Sequence, residues 1–236
     1  MNVDMIFNFP AQTEDMLIND VERIVESGAT QTTFYPLMAS PAVERSLART
    51  VGKVDYNRER RFYEIVDDLL TGGTNPLFTH SSAWTYNRFD YRAAPAAAFG
   101  KAGSGMIDEY VVKYEEYPAI GSGGITYLGS NLYVNTFSLH EYTQAIEAGR
   151  MSLMGKAAFN KHDRMRYRFL MQLFGLRLDK REWERDFGCT VENGLPAEMA
   201  FMKLTGGIDR NTPEEITLTA TGRYLVVAMK IGRAHV

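Results

Sequence analysis

The chain has 236 residues, a mass of 26.7 kDa and 45% hydrophobic residues, enough to bury one large core or two modest ones. A formal charge of −3 and a pI near 5.9 give no electrostatic basis for a nucleic-acid partner, and no apolar run approaches the ~20 residues that span a bilayer. The N-terminus lacks a secretion-signal pattern, and the single cysteine, Cys189, excludes an internal disulfide and a cysteine-only metal cage, so a cytoplasmic location is expected.

Val3, Met5, Ile6, Phe7 and Phe9 form a short apolar run that predicts a strand buried on both faces and stopped by Pro10. Thr13 predicts a helix cap, with Glu14 and Asp15 in the first turn and Met16, Leu17, Val21, Ile24 and Val25 at helical spacing up to Ser27-Gly28. Gln31 to Pro36 is β-branched and aromatic and predicts a second strand. Strand, helix and strand in so short a stretch make a βαβ crossover, hence a parallel pair that needs cover on both faces and neighbouring strands. Only these two strands of that type are legible, so the expected sheet is incomplete. Asp4 leaves two readings open: a carboxylate facing a polar ligand or cation, or an aspartate at an exposed strand entry.

Ser40-Pro41 predicts a short helix, and Asp55 the cap of a stronger one in which Phe62, Ile65, Val66, Leu69 and Leu70 recur until Gly72-Gly73. Leu77 to Arg88 reads as extended, and residues 91–105 as a mobile small-residue loop, the alternative of a short alanine helix being interrupted by Pro95 and Gly100. Gly121, Gly123 and Gly124 either bare the backbone to a flat or charged ligand or make a tight bend. The bend would precede a hairpin of Ile125–Leu128 and Leu132–Asn135 turning at Gly129-Ser130-Asn131. Ser138 to Glu141 reads as a capping box, with its helix ending at Gly149. Asn160 to Leu178 predicts one long helix with Met165, Phe169, Leu170, Leu173 and Phe174 inward; Arg164, Arg166 and Arg168 form either a solvated face or a carboxylate-binding one. Asp179 caps a helix carrying Trp183 and Phe187 and stopped by Gly188, and Pro196 opens another that ends at Gly206-Gly207. Glu215–Thr219 reads as a strand and Thr221 onward as a closing helix. His80, His140, His162 and His235 lack zinc-site spacing, and Ser81, Ser104 and Ser122 lack a nucleophile elbow.

Asp4-x-Ile6-Phe7-x-Phe9-Pro10-x-Gln12-Thr13 resembles a late barrel strand of the radical SAM enzymes related to oxygen-independent coproporphyrinogen III oxidase. Tyr133-x-Asn135-Thr136 with Tyr142 and Glu147-Ala148-Gly149 is similar to a second signature of that family. Phe7-Asn-Phe-Pro-Ala-Gln-Thr13, Phe34-Tyr-Pro-Leu-Met38, Met106-Ile-Asp-Glu-Tyr110 and Tyr133-Val-Asn-Thr136 look most like its anaerobic heme-degrading methyltransferase branch. The resemblance implies an α/β fold: the last two strands of a partial (βα)6 barrel over 1–135, then a mainly helical, winged-helix-like domain over 136–230. It implies S-adenosylmethionine as cofactor, contacted at Asp4, Met38, Gly121, Gly123 and Ile125, and a 4Fe-4S cluster whose Cys-x-x-x-Cys-x-x-Cys loop is not in this sequence. Heme or a porphyrinogen is the implied substrate, with a flavodoxin-type or similar electron donor. Coproporphyrinogen III oxidation and non-enzymatic heme carriage are the competing roles. The chain is then expected to be the back part of a longer enzyme, inactive alone, and Ile231 to Val236 to be an adapter-derived tail.

Overall fold

The computed structural model describes residues 1–38, 41–89 and 116–230, with the backbone only for 41–43. The loop expected at 91–105, the Met106–Tyr110 motif and the tail at 231–236 lie outside the described residues.

β1 (Asn2–Phe7), α1 (Glu14–Glu26) and β2 (Gln31–Pro36) form the expected βαβ unit, with β1 and β2 parallel and Asp4 level with Thr33. Thr13 caps α1 by accepting from the Met16 N–H. After α2 (Pro41–Thr50) and α3 (Glu59–Thr71), the extended stretch folds into β3 (Phe78–His80) and β4 (Thr85–Arg88), which pair antiparallel. The sheet order is β1-β2-β4-β3, so β1 is an edge strand that pairs on one side only among the described residues. Side chains alternate across a strand, and here the alternation separates two chemistries. Phe7, Phe34, Phe78 and Tyr86 share the buried face with Leu17, Val21 and Ile24 of α1 and Phe62, Val66 and Leu70 of α3. The other face carries the polar rows Asn2, Gln31, Asn87 and Asp4, Thr33, Thr85, followed toward the carboxyl ends of β1 and β2 by Ile6 and Tyr35. The expectation that β1 is buried on both faces is therefore corrected: Asn2, Asp4 and Ile6 are exposed, and Ile6 alone gave the run its uniform apolar look.

β5 (Ile125–Leu128) and β6 (Asn131–Asn135) form the expected hairpin, but its turn is two residues long. Gly129 and Ser130 are both left-handed (φ 56° and 59°), the pair a tight hairpin turn of matching twist requires. After α4 (Leu139–Glu147), β7 (Leu153–Ala158) pairs with β6, so strand pairing crosses the 135/136 boundary expected between domains.

The predicted long helix is shorter than its apolar stripe. α5 (Lys161–Phe174) starts at a reciprocal Asn160–Asp163 capping box and stops before Leu176, which is left-handed at φ 77°. The chain then makes β8 (Arg177–Asp179) and α6 (Lys180–Phe187), capped by Asp179 and ended by left-handed Gly188 as expected. The short α7 (Val191–Gly194) and α8 (Pro196–Leu204) follow. Then come β9 (Ile208–Asn211), β10 (Glu215–Leu218) and α9 (Ala220–Lys230). β8, β10 and β9 form an antiparallel sheet in that order. Trp183, Phe187, Leu195, Met199, Ile216 and Val226 fill the space between it and the helices. One hydrophobic core runs from the first sheet into this part: Trp84 packs edge-on to Phe174 at 4.8 Å, and the Ala83 N–H donates to the Phe174 carbonyl at 2.9 Å. No helix among the described residues is long and apolar enough to cross a membrane.

Candidate functional site

The polar face of the first sheet is built in rows by register. Asp4, Thr33 and Thr85 occupy one row across β1, β2 and β4; Asn2, Gln31 and Asn87 occupy the next. Within the rows, Thr33 and Thr85 join their hydroxyls at 3.1 Å, and the Gln31 amide donates to Asn87 Oδ1 at 2.8 Å. Between the rows, the Asn2 amide donates to Asp4 Oδ1 at 2.9 Å. Gln31, Thr33 and Thr85 are buried, Asp4 is exposed, and a sheet face of this composition cannot serve as a second apolar core. Asp4 is thus no buried orphan: it stands at the open side of a polar strip.

The carboxyl end of β1 is held by Arg58. Asn8, buried and left-handed at φ 70°, accepts from Arg58 Nε at 3.0 Å through its Oδ1. The guanidinium also donates to the carbonyls of Gln12 (2.6 Å), Pro10 (3.1 Å) and Phe9. A planar fork with five donors suits such a cluster of carbonyls, and its face stacks on Phe62 at 4.9 Å. Arg58 is also the N-cap position of α3 and makes no side-chain cap bond there, which corrects the expectation for Asp55. Asp55 instead accepts from the Asn57 N–H. The Leu37 N–H donates to the Phe7 carbonyl at 2.8 Å, so the stretch ending in Met38 stays beside the end of β1, with Met38 exposed.

The glycine loop belongs to the second sheet. Gly121 (φ 106°) and Gly123 (φ 71°) both need the left-handed region. The Gly121 N–H donates to the Tyr142 hydroxyl, that of Gly123 to the Thr136 carbonyl, and that of Gly124 to the Gly121 carbonyl. The Asn135 amide donates to the Gly121 carbonyl at 2.9 Å, and the Thr136 hydroxyl to Glu141 at 2.7 Å. Asn135, Thr136 and Tyr142, singled out as one sequence signature, are therefore the residues that shape this loop. Ser138 caps α4 through the Glu141 N–H, but the Glu141 carboxylate serves Thr136 instead of closing a reciprocal box. With its N–H groups committed, what the loop can offer a ligand is the bare backbone at Gly121, where a Cβ would meet nothing within 4 Å, beside exposed Ile125. A Cβ at Gly123 would meet the Phe137 ring at 2.8 Å, so that glycine serves packing. Asp4 and Met38 lie on the first sheet and its end, and Gly121, Gly123 and Ile125 lead into the second.

A buried ionic cluster ties the apolar face to the C-terminal helix, and the sequence spacing gave no sign of it. Asp67 of α3 lies 2.7 Å from His80 Nε2 of β3 and 2.7 Å from an Arg223 nitrogen of α9. Burial pushes the Asp67 carboxyl up, but His80 and Arg223 outweigh it and hold it below its ordinary 3.8. Burial pushes the neighbouring Tyr63 and Tyr86 phenols above the ordinary 10. The Tyr63 hydroxyl donates to the Ala83 carbonyl at 2.6 Å.

No group of His, Cys, Asp and Glu among the described residues could hold a metal ion. No protein-family model matches the sequence, and no curated protein matches it. The fold is a mixed α/β arrangement similar to part of a radical SAM enzyme. The solved structure in question is coproporphyrinogen III oxidase (HemN) from Escherichia coli, which matches with a TM-score of 0.67 at 16% identity. The match covers 98% of this chain and 54% of that one, so the chain spans about half the length of the structure it resembles.

Proposed function

We propose that this chain is the carboxy-terminal part of a radical S-adenosylmethionine enzyme of the coproporphyrinogen-oxidase-like family, acting on heme or a related tetrapyrrole in the cytoplasm. The observation that carries the reading is the fold match over 98% of this chain and only 54% of its neighbour. A parallel edge strand with an apolar outer face and a polar inner row is what the last strands of a barrel would present, and among the described residues β1 pairs on one side only, leaving the other for earlier strands. The order α5, β8, α6, α8, β9, β10 supports the winged-helix-like reading of the second half. The Phe7-to-Thr13 and Phe34-to-Met38 stretches favour radical methyl transfer with opening of heme; the identity of the solved neighbour favours oxidation of coproporphyrinogen III. Turnover of one or the other tetrapyrrole by the longer parent distinguishes these.

The residues present fit the two cofactors unequally. Asp4 at the end of a polar row suits the hydroxyl or ammonium donors of S-adenosylmethionine, with Met38, Gly121, Gly123 and Ile125 as backbone or apolar contacts. That cofactor supplies the radical-forming chemistry in the parent. Cys189 by itself does not supply the thiolates of an iron–sulfur cluster, so no step through a cluster belongs to these residues. Equilibrium dialysis of the chain against labelled S-adenosylmethionine is expected to give saturable binding that Asp4→Asn weakens about tenfold or more, the scale of a hydrogen bond to a charged group. Absence of saturable binding contradicts the reading.

A further inference from the structure

We propose that the apolar surface formed by α4 and the glycine loop is a docking face for the part of the parent enzyme that precedes Met1, a second seam besides the open edge of β1. The inference rests on the reading of this chain as a carboxy-terminal part and adds a contact which that reading does not require. α4 is nine residues long, and among the described residues none of the nine is buried. A helix so short gains little from its own backbone and is ordinarily held by laying an apolar stripe on a neighbour. The stripe is present: Leu139, Tyr142 and Ile146 recur at helical spacing, with Leu139 and Ile146 exposed. What fixes α4 to the rest of the chain is polar: the Gly121 N–H donates to the Tyr142 hydroxyl, and the Thr136 hydroxyl to Glu141.

The apolar surface does not stop at the helix. Phe137 lies against Gly123, where a Cβ would meet its ring at 2.8 Å. Met151 is carried beside it, because the Thr136 N–H donates to the Ser152 carbonyl at 2.7 Å. Ile120 and Ile125 flank the glycines, and Ile120, Phe137, Leu139 and Met151 are between 68% and 96% exposed. Apolar side chains exposed singly are ordinary, but a group gathered around one loop marks a surface made to be covered.

Its position selects the occupant. The cofactor reading sets S-adenosylmethionine against Gly121, Gly123 and Ile125, and the thiolates of the cluster that acts on it are not in this chain. An electron passes from a cluster only to a group held close to it, so the segment bearing the cluster must come up to the glycine loop. The apolar side chains around that loop are what it meets there. A second copy of this chain would bring no such thiolates, Cys189 being its sole cysteine. The solved neighbour has nearly half its length outside the match, enough chain to supply the partner within one polypeptide.

The test compares this chain with the longer parent by maleimide labelling of Leu139→Cys and Ile146→Cys, the labelled position being located by mass spectrometry so that other cysteines do not interfere. Both positions are expected to react rapidly in this chain and about tenfold or more slowly in the parent, the protection that a docked surface gives. Hydrogen exchange of the unaltered proteins over residues 118–125 and 137–147 makes the same comparison without a substitution, and is expected to slow in the parent alone. Equal rates in the two proteins overturn the inference. If both are slow, this chain already covers the helix; if both are fast, the parent leaves it bare. Rates that fall as the concentration of this chain rises identify a second copy as the occupant and overturn it too. A parent that protects β1 but not α4 overturns the inference and leaves the reading of the chain as a carboxy-terminal part standing. An upstream sequence without barrel strands and a cysteine loop overturns both.

Discussion

Replacing Gly222 by alanine is expected to destabilise the chain by about 3 kcal/mol or more, above the usual range for one extra methyl in a packed core. A Cβ at Gly222 would lie 1.9 Å from the Gly207 carbonyl oxygen and 2.8 Å from its carbon. Both are backbone atoms, and the same oxygen accepts from the Thr219 N–H at 3.1 Å just before α9. No rotamer change relieves that contact, so α9 must move off the start of β9, loosening Val226 and Val227 from the core. At this chain length the loss corresponds to a midpoint about 6–12 °C lower. Gly206→Ala is the internal control. Gly206 is left-handed at φ 69° but has open space around its Cβ position, so only conformational strain of about 1 kcal/mol is expected. Thermal denaturation of the two variants checks the contrast; equal midpoints would show that α9 does not dock through this glycine contact.

Asp67→Asn is expected to cost about 3 kcal/mol near neutral pH, since it removes the carboxylate shared by the Arg223 guanidinium and the His80 imidazole, both largely buried. The cost depends on pH with a defined sign. The folded carboxyl titrates below its ordinary 3.8, so the native state binds the proton less readily than the unfolded chain does. The stabilisation is therefore fully present above that value and is lost as the pH falls through the folded pKa. Urea unfolding from pH 7 to pH 2.5 should show the gap between the two proteins narrowing only in the acid range. A gap independent of pH would mean that Asp67 acts through shape and not through charge.

What the sequence made legible follows from how far apart the interacting residues are. The βαβ start, the Asp179 cap with its Gly188 stop, and the hairpin before Asn135 depend on local patterns; the first two form as expected, and the hairpin does so with a turn one residue shorter. β7 did not show itself, because Leu-Met-Gly-Lys-Ala-Ala has no β-branched residue and no alternation; its strand character comes from pairing with β6. The apolar stripe of α5 ran on into Leu176 and Leu178, yet the first is a left-handed connector and the second a buried strand residue. His80 looked isolated in the sequence because its partner lies on α3 and the third member of the cluster on α9.

The candidate site divides in the same way. Asp4 and the glycines carry local marks, an acid in an apolar strand and breaks in a periodic chain, and so could be singled out. Thr33 and Thr85 look like ordinary strand threonines, and only register places them in a row with Asp4. The polar alternation Gln31, Thr33 with Thr85, Asn87 was the available signal, but it is readable only once β4 is known to lie beside β2. Likewise Asn135, Thr136 and Tyr142 stood out as a signature, while their work, holding Gly121 and Gly123 in shape, needed coordinates to see.

The account depends most on β1 being a late strand of a larger parallel barrel. Sequencing the DNA upstream of the Met1 codon tests this most directly. An in-frame continuation with further βα repeats and a Cys-x-x-x-Cys-x-x-Cys loop is the predicted result. An in-frame continuation that lacks both, or a stop codon directly before a functional start at Met1, would contradict it.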